Sequence, residues 1–154
     1  MASLEAILLQ HPFFRGLEAQ LGSVVAGCCA NVRRGRGEYL LHEGTPADRF
    51  YLIREGTVAL EIAAAGRAPA TFLTLGSGEI VGISWLTPPY RWTFDARATS
   101  LVHALAVDTA CLRAKCESDH DLGYELMKRC SALLVRRLHA TRLQLLDVYA
   151  GAAP

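Results

Sequence analysis

Apolar positions recur along this chain in three different textures, and each predicts a different kind of element. From Ser3 to Gly27, the residues Leu4, Ile7, Leu8, Leu17, Leu21, Val24 and Val25 fall at mixed three- and four-residue spacings. That spacing gathers side chains on one helical face. His11-Pro12 interrupts it, because proline removes a backbone donor and cannot continue a helix. The pattern therefore predicts two short helices hinged at His11-Pro12, with Pro12-Phe13-Phe14 plugging an edge of the core. After Cys29 the runs become short and rich in β-branched and aromatic residues. They predict strands at 31–34, 38–43, 49–54, 57–63, 70–75, 93–99 and 102–107. Glycine-bearing turns separate them at Gly35-Arg36-Gly37, Gly44-Thr45-Pro46, Glu55-Gly56, 66–69 and Gly76-Ser77-Gly78. Short strands at this cadence indicate an antiparallel sandwich, jelly roll or barrel.

From Thr109 the period becomes helical again. A short helix over 109–117 precedes the capping pair Ser118-Asp119, and a long helix runs from about Asp121 to Tyr149. Within it Met127, Ser131, Leu134, Leu138, Thr141, Leu145 and Val148 alternate spacings of four and three, which is a heptad seam. Leu126, Leu133, Leu143 and Leu146 broaden the stripe, so one face can rest on the β-body while the seam meets a second copy. At about 1.5 Å per residue this helix is roughly 40 Å long, more than one small domain needs. A homodimer along it is the economical expectation. The alternative is a monomeric helix lying wholly on its own roll.

Composition narrows the picture. The chain has 154 residues, half of them hydrophobic (51%). That length indicates a single domain with a filled core. Its parts are N-terminal helices (1–27), a β-roll (28–108) and C-terminal helices (109–150). The net charge of +1 gives no electrostatic case for nucleic acid or an anionic membrane. Apolar runs are too short to span a bilayer, and the N-terminus lacks the basic start of a signal peptide. The expectation is a cytoplasmic protein. An odd number of cysteines, Cys28, Cys29, Cys111, Cys116 and Cys130, predicts free thiols in a reducing compartment. Buried inert thiols are one reading of them and a redox sensor the other. His11, His42, His103, His120 and His139 are scattered, and no Ser-His-Asp or Cys-His pairing is legible. The sequence predicts no metal, no cofactor and no enzyme.

The candidate chemistry lies between Gly76 and Ser100. Gly76, Gly78 and Gly82 enclose Glu79, then come Pro88-Pro89 and an aromatic run flanked by Arg91 and Arg97. Closely spaced glycines let backbone N–H groups approach a ligand. Such amides together with a guanidinium hold an anion, while a carboxylate accepts hydrogen bonds from hydroxyls. A sugar phosphate suits that set; a glycine turn followed by a surface loop is the plainer alternative. Trp85, Tyr90, Trp92 and Phe94 could fill such a pocket themselves or stack on a base.

One longer pattern joins these pieces: Gly37-Glu38, Glu43-Gly44, Ala47-Asp48, Tyr51, Ile53, Gly56 and Val58, then Gly78-Glu79-Ile80, then Arg136-Arg137-Leu138. It resembles the cyclic-nucleotide-binding domain of the bacterial cyclic-AMP receptor and fumarate-nitrate regulator superfamily. The resemblance implies a double-stranded jelly roll with flanking helices, mainly β, that binds cyclic AMP or cyclic GMP. It implies that Gly78, Glu79 and Ile80 open the phosphate cassette, with Glu79 on the ribose 2′-hydroxyl. The cassette also needs an arginine for the cyclic phosphate. Counted back from Ala96-Arg97-Ala98, that slot falls on Trp92, one residue from Arg91, so Arg91, Trp92 and Thr93 complete the expected ligand-binding set. Asp95 would repel a phosphate unless Arg91 or Arg97 pairs with it. Thr141 falls where the family places an adenine contact. Gly78 to Gly82 also looks like the variant in relatives that sense other ligands. The chain ends at Pro154 with no helix-turn-helix, so the expectation is no DNA partner. What remains is a stand-alone sensory module acting through an unknown protein partner. The alternative is a nucleotide-free interaction module closed by its own aromatics.

Overall fold

In the computed structural model, which describes residues 3–152, the first helix ends where its proline requires it to. Helix α1 (Leu4–Gln10) is capped by the Ser3 hydroxyl, which accepts from the Ala6 amide at 3.1 Å, and it stops at His11. A turn carrying buried Phe14 leads into α2 (Ala19–Ala26), so the two-helix expectation and the Phe14 plug both hold.

Eight strands follow among the described residues: β1 (Cys29–Arg34), β2 (Tyr39–Leu41), β3 (Arg49–Glu55), β4 (Val58–Ile62), β5 (Ala70–Leu75), β6 (Ile80–Val81), β7 (Asp95–Ala98) and β8 (Val102–Asp108). They form two antiparallel sheets, ordered β1-β8-β3-β6 and β2-β7-β4-β5. This is the predicted jelly roll. All seven expected strands are present, some a residue or two shorter at their ends. The eighth, β6, is two residues long, too short for any period to announce it. Leu52, Leu105, Val58 and Ala96 lie between the sheets at 1% exposure or less. One ion pair is set into the second sheet, where Arg97 Nε donates to buried Glu61 at 2.7 Å. Glu61 is therefore paired rather than left as an uncompensated buried charge.

After β8, α3 (Thr109–Ser118) starts on an Asp108 cap and is pinned by the Thr109 hydroxyl, which donates to the Ala47 carbonyl at 2.7 Å. Asp119 then caps α4 (His120–Ala152), a helix of 33 residues. Leu122, Leu126, Cys130 and Leu133 form its buried stripe. Leu143 and Leu146, expected to help seat the helix, are half exposed or more, because they lie off the side of α4 that faces the roll, where Gln144 between them still reaches Phe72. No described helix is long and apolar enough to cross a membrane.

The cysteines depart from expectation. Cys28 and Cys111 are joined by a disulfide across a separation of 83 residues. Cys29, Cys116 and Cys130 are free. An all-thiol chain, and the reducing compartment inferred from it, therefore lose their basis in cysteine usage.

A candidate ligand cleft between the roll and the long helix

The glycine turn that opens the cassette is built by main-chain hydrogen bonds on both sides. The Gly78 amide donates to the Ile53 carbonyl at 3.0 Å, and the Ile53 amide donates to the Glu79 carbonyl at 2.9 Å. Gly78 has φ +88, and a Cβ there would come within 3.0 Å of Pro12. Glycine is thus required both by conformation and by the closeness of the N-terminal turn. His11 fixes that turn from the other side. Its Nδ1 accepts from the Phe13 amide at 3.2 Å, so Nε2 carries the proton and donates to the Ile53 carbonyl at 3.1 Å.

The Glu79 carboxylate is exposed and folds back on its own turn, accepting from the Gly76 amide at 2.6 Å. With Gly78, Ile80, Arg136 and Arg137 it borders a recess of about 280 Å³. A second cleft, of about 370 Å³, shares Leu73, Arg137 and Ala140 with the first. Its walls are Leu60 and Phe72 of the second sheet, Ile83 and Ser84 after β6, Thr93 and Phe94 before β7, and Thr141 and Gln144 of α4. The lining is mainly apolar with a few hydroxyls and one guanidinium, as is usual for small-molecule sites.

That guanidinium belongs to Arg137. It donates to the Ile80 carbonyl and so ties α4 to the cassette strand. Burial pushes its pKa below the ordinary arginine value, and the nearby Glu79 carboxylate pulls it back up. Farther along α4, Gln144 donates to the Phe72 carbonyl at 2.5 Å and the Thr141 hydroxyl donates to the Arg137 carbonyl at 2.8 Å. Residues 134, 137, 141 and 144 form one stripe over the cleft, at spacings of three, four and three.

The expected site residues divide. Gly78, Glu79 and Ile80 border the smaller recess, and Thr93 and Thr141 the larger cleft. Arg91 borders neither. Its exposed side chain turns away and donates to the Gly44 carbonyl at 2.7 Å. Trp92 is likewise not a cleft residue. It is 3% exposed, and its ring lies where a Cβ on Gly82 would come within 2.5 Å. The register explains both corrections: one residue along an extended chain reverses the side-chain direction, so Trp92 takes the inward slot and Arg91 faces out. Neither arginine pairs with Asp95, which accepts from the Glu43 amide at 2.7 Å while Arg97 holds Glu61. Trp85 stacks on Phe50 inside the core at 5.0 Å, and Tyr90 stacks beneath Arg113 at 4.4 Å. Phe94 alone of the four aromatics faces the larger cleft.

A two-sheet roll with a glycine-cornered cassette facing a long C-terminal helix defines a class of small-molecule-binding domains. Residues 32–119 match the model of the cyclic nucleotide-binding domain, and the chain belongs to that family. It is 30% identical to a putative cyclic nucleotide-binding protein of Geobacter metallireducens, with a TM-score of 0.79 over 90% of this chain and all of that one. It is 25% identical over 145 residues to the CRP-like cAMP-activated global transcriptional regulator of Mycobacterium tuberculosis. That match takes in 94% of this chain but 63% of the regulator, so the chain spans under two thirds of the curated relatives it matches. The Thermus thermophilus catabolite activator protein, 24% identical with a TM-score of 0.70, shares the fold.

Proposed function

We propose that this domain is a regulatory sensor that takes cyclic AMP, cyclic GMP or a related small anion in the cleft between roll and α4, and signals through that helix. The observation carrying this reading is the position of Arg137, a half-buried cation at the junction of two recesses, within Coulombic reach of Glu79. An anion there meets a partly desolvated guanidinium, where charge-assisted hydrogen bonds are strongest. The hydroxyls of Ser84, Thr93 and Thr141 lie around the same cleft, and Gly78, Glu79 and Ile80 form the rim of the adjoining recess. Any occupant touches sheet and helix together and so favours one placement of α4 over others. A useful switch needs a differential of a few kcal/mol. The output passes along α4 to a second copy and a protein partner, with no catalytic step in this domain.

A second reading is favoured by Trp92. An indole stands in the family's arginine slot, which fits a nucleotide-free module working through protein contacts alone. Calorimetric titration with cyclic AMP and cyclic GMP separates the two. The sensor reading expects saturable heat from the unmodified protein, affinity lowered roughly tenfold or more by Arg137→Ala, and no change with Arg91→Ala. Absence of heat at millimolar nucleotide would eliminate both cyclic nucleotides and leave the second reading. That reading expects a melting temperature indifferent to nucleotide.

A further inference from the structure

The Cys28–Cys111 disulfide ties the start of the β-roll to the first turn of α3, and α3 in turn holds part of the ligand cleft. Two residues beyond Cys111, Arg113 donates to the Trp85 carbonyl at 2.9 Å and lies 4.4 Å over the Tyr90 ring. Trp85 sits inside the segment whose Ile83, Ser84, Leu86 and Thr87 line the larger cleft. The α3 helix has a separate anchor at Thr109, and Leu112 is fully buried, so it stays seated without the disulfide. The disulfide is also accessible. Cys28 is buried but Cys111 only half-buried, and two surface grooves are bordered by Gly27 and Cys111, one of them also by Lys115.

We propose that Cys28 and Cys111 are a reversible dithiol–disulfide pair whose oxidation state sets how firmly the cassette segment 83–90 is held over the ligand cleft. The reductant is a small dithiol. One of its thiolates attacks the sulfur of Cys111, the less buried residue of the pair, the S–S bond breaks, and Cys28 leaves as a thiolate and is protonated. The second reductant thiolate then closes the reductant's own disulfide and releases Cys111, so two electrons pass to the protein and two protons finish on its thiols. A small disulfide such as oxidised glutathione reverses both steps. Neighbouring Cys29 does not compete for its partner. Its thiol donates to the Val25 carbonyl at 3.2 Å, and burial pushes its pKa to about 12, which keeps it protonated and unreactive.

The proposal rests on reading the cleft as the ligand site, but its test is made without ligand, so the two stand or fall separately. The chain of residues 1–154, equilibrated with oxidised glutathione, then denatured and alkylated, should carry three alkyl groups, on Cys29, Cys116 and Cys130. After dithiothreitol all five cysteines should react. Hydrogen–deuterium exchange of the folded protein should then be faster by roughly threefold or more at 83–90 and 109–118 in the reduced state. Cys28→Ser and Cys111→Ser should match the reduced protein under both conditions. Five alkylated cysteines after oxidised glutathione, or identical exchange in both states, overturns the inference. Should a variant fail to fold, the two states of the unmodified protein decide the matter alone.

Discussion

His11 has both ring nitrogens committed, one as acceptor and one as donor, which only the neutral ring can manage. Its pKa lies below the usual 6.5, first because burial penalises the charged form and also through the charge on Arg15; the hydrogen bond to Ile53 opposes both. Above 6.5 neither folded nor unfolded chain holds the proton, and the stability from this site is complete. As pH falls through 6.5 toward the lower folded value, the unfolded chain takes up the proton first and that stability is lost. The melting temperature should therefore drop between about pH 7.5 and pH 5.5, and drop less in His11→Gln. Equal slopes for the two proteins would remove His11 from the account.

Gly82 poses a steric question at the same scale. With φ +99 and the Trp92 ring at 2.5 Å from any Cβ, Gly82→Ala should cost ~2 kcal/mol or more in urea denaturation. Part of that cost is the indole. Gly82→Ala combined with Trp92→Leu should therefore be less destabilising than the sum of the two single changes.

At the scale of elements, α4 has two working faces. One stripe, through Leu122, Leu126 and Leu133, is buried on the roll. The heptad positions Met127, Leu138, Leu145 and Val148 remain half exposed or more. An exposed apolar seam of this length favours a second copy of the same helix. Light scattering should give a dimer mass for the unmodified protein and a monomer mass for Leu138→Lys or Leu145→Lys, with helical circular dichroism unchanged. A monomer mass for the unmodified protein would end the seam reading. The helix itself was readable from its period, and Thr141 from the resemblance, but the other residues that turn toward the cleft were not. Arg137 and Gln144 share a face with Leu134 and Thr141, two residues the heptad also claims, so a period read as a partner seam hides the overlapping stripe that faces the roll.

For the molecule as a whole, the jelly roll was legible because its corners are chemically marked. Gly56, for example, has φ +98, and a Cβ there would run into the Leu101 carbonyl. Such positions admit few residues besides glycine, so they show in a single sequence. The candidate site was legible only where it rides on those corners, at Gly78 to Ile80. Its cation was not, because Arg137 is 57 residues from the Ile80 carbonyl it reaches, and proximity of that kind is created by the fold. The Cys28–Cys111 disulfide escaped notice for the same reason, while adjacent Cys28 and Cys29 suggested nothing about a partner 83 residues away.

A Cβ at Gly123 would meet the Cys116 carbonyl at 3.4 Å, so the root of α4 packs closely on the end of α3, and from there nearly thirty residues of unbroken helix extend to Ala152. At about 1.5 Å per residue that arm is ~44 Å long, so a rocking of ~10° about its root sweeps the far tip through ~8 Å. The displacement exceeds one helical turn, about 5.4 Å, which would carry a contact at the tip from one neighbour to the next. The same rocking moves Arg137, less than halfway along the arm, by only ~4 Å, so length alone doubles a displacement at the cleft into a change of partner surface at the tip.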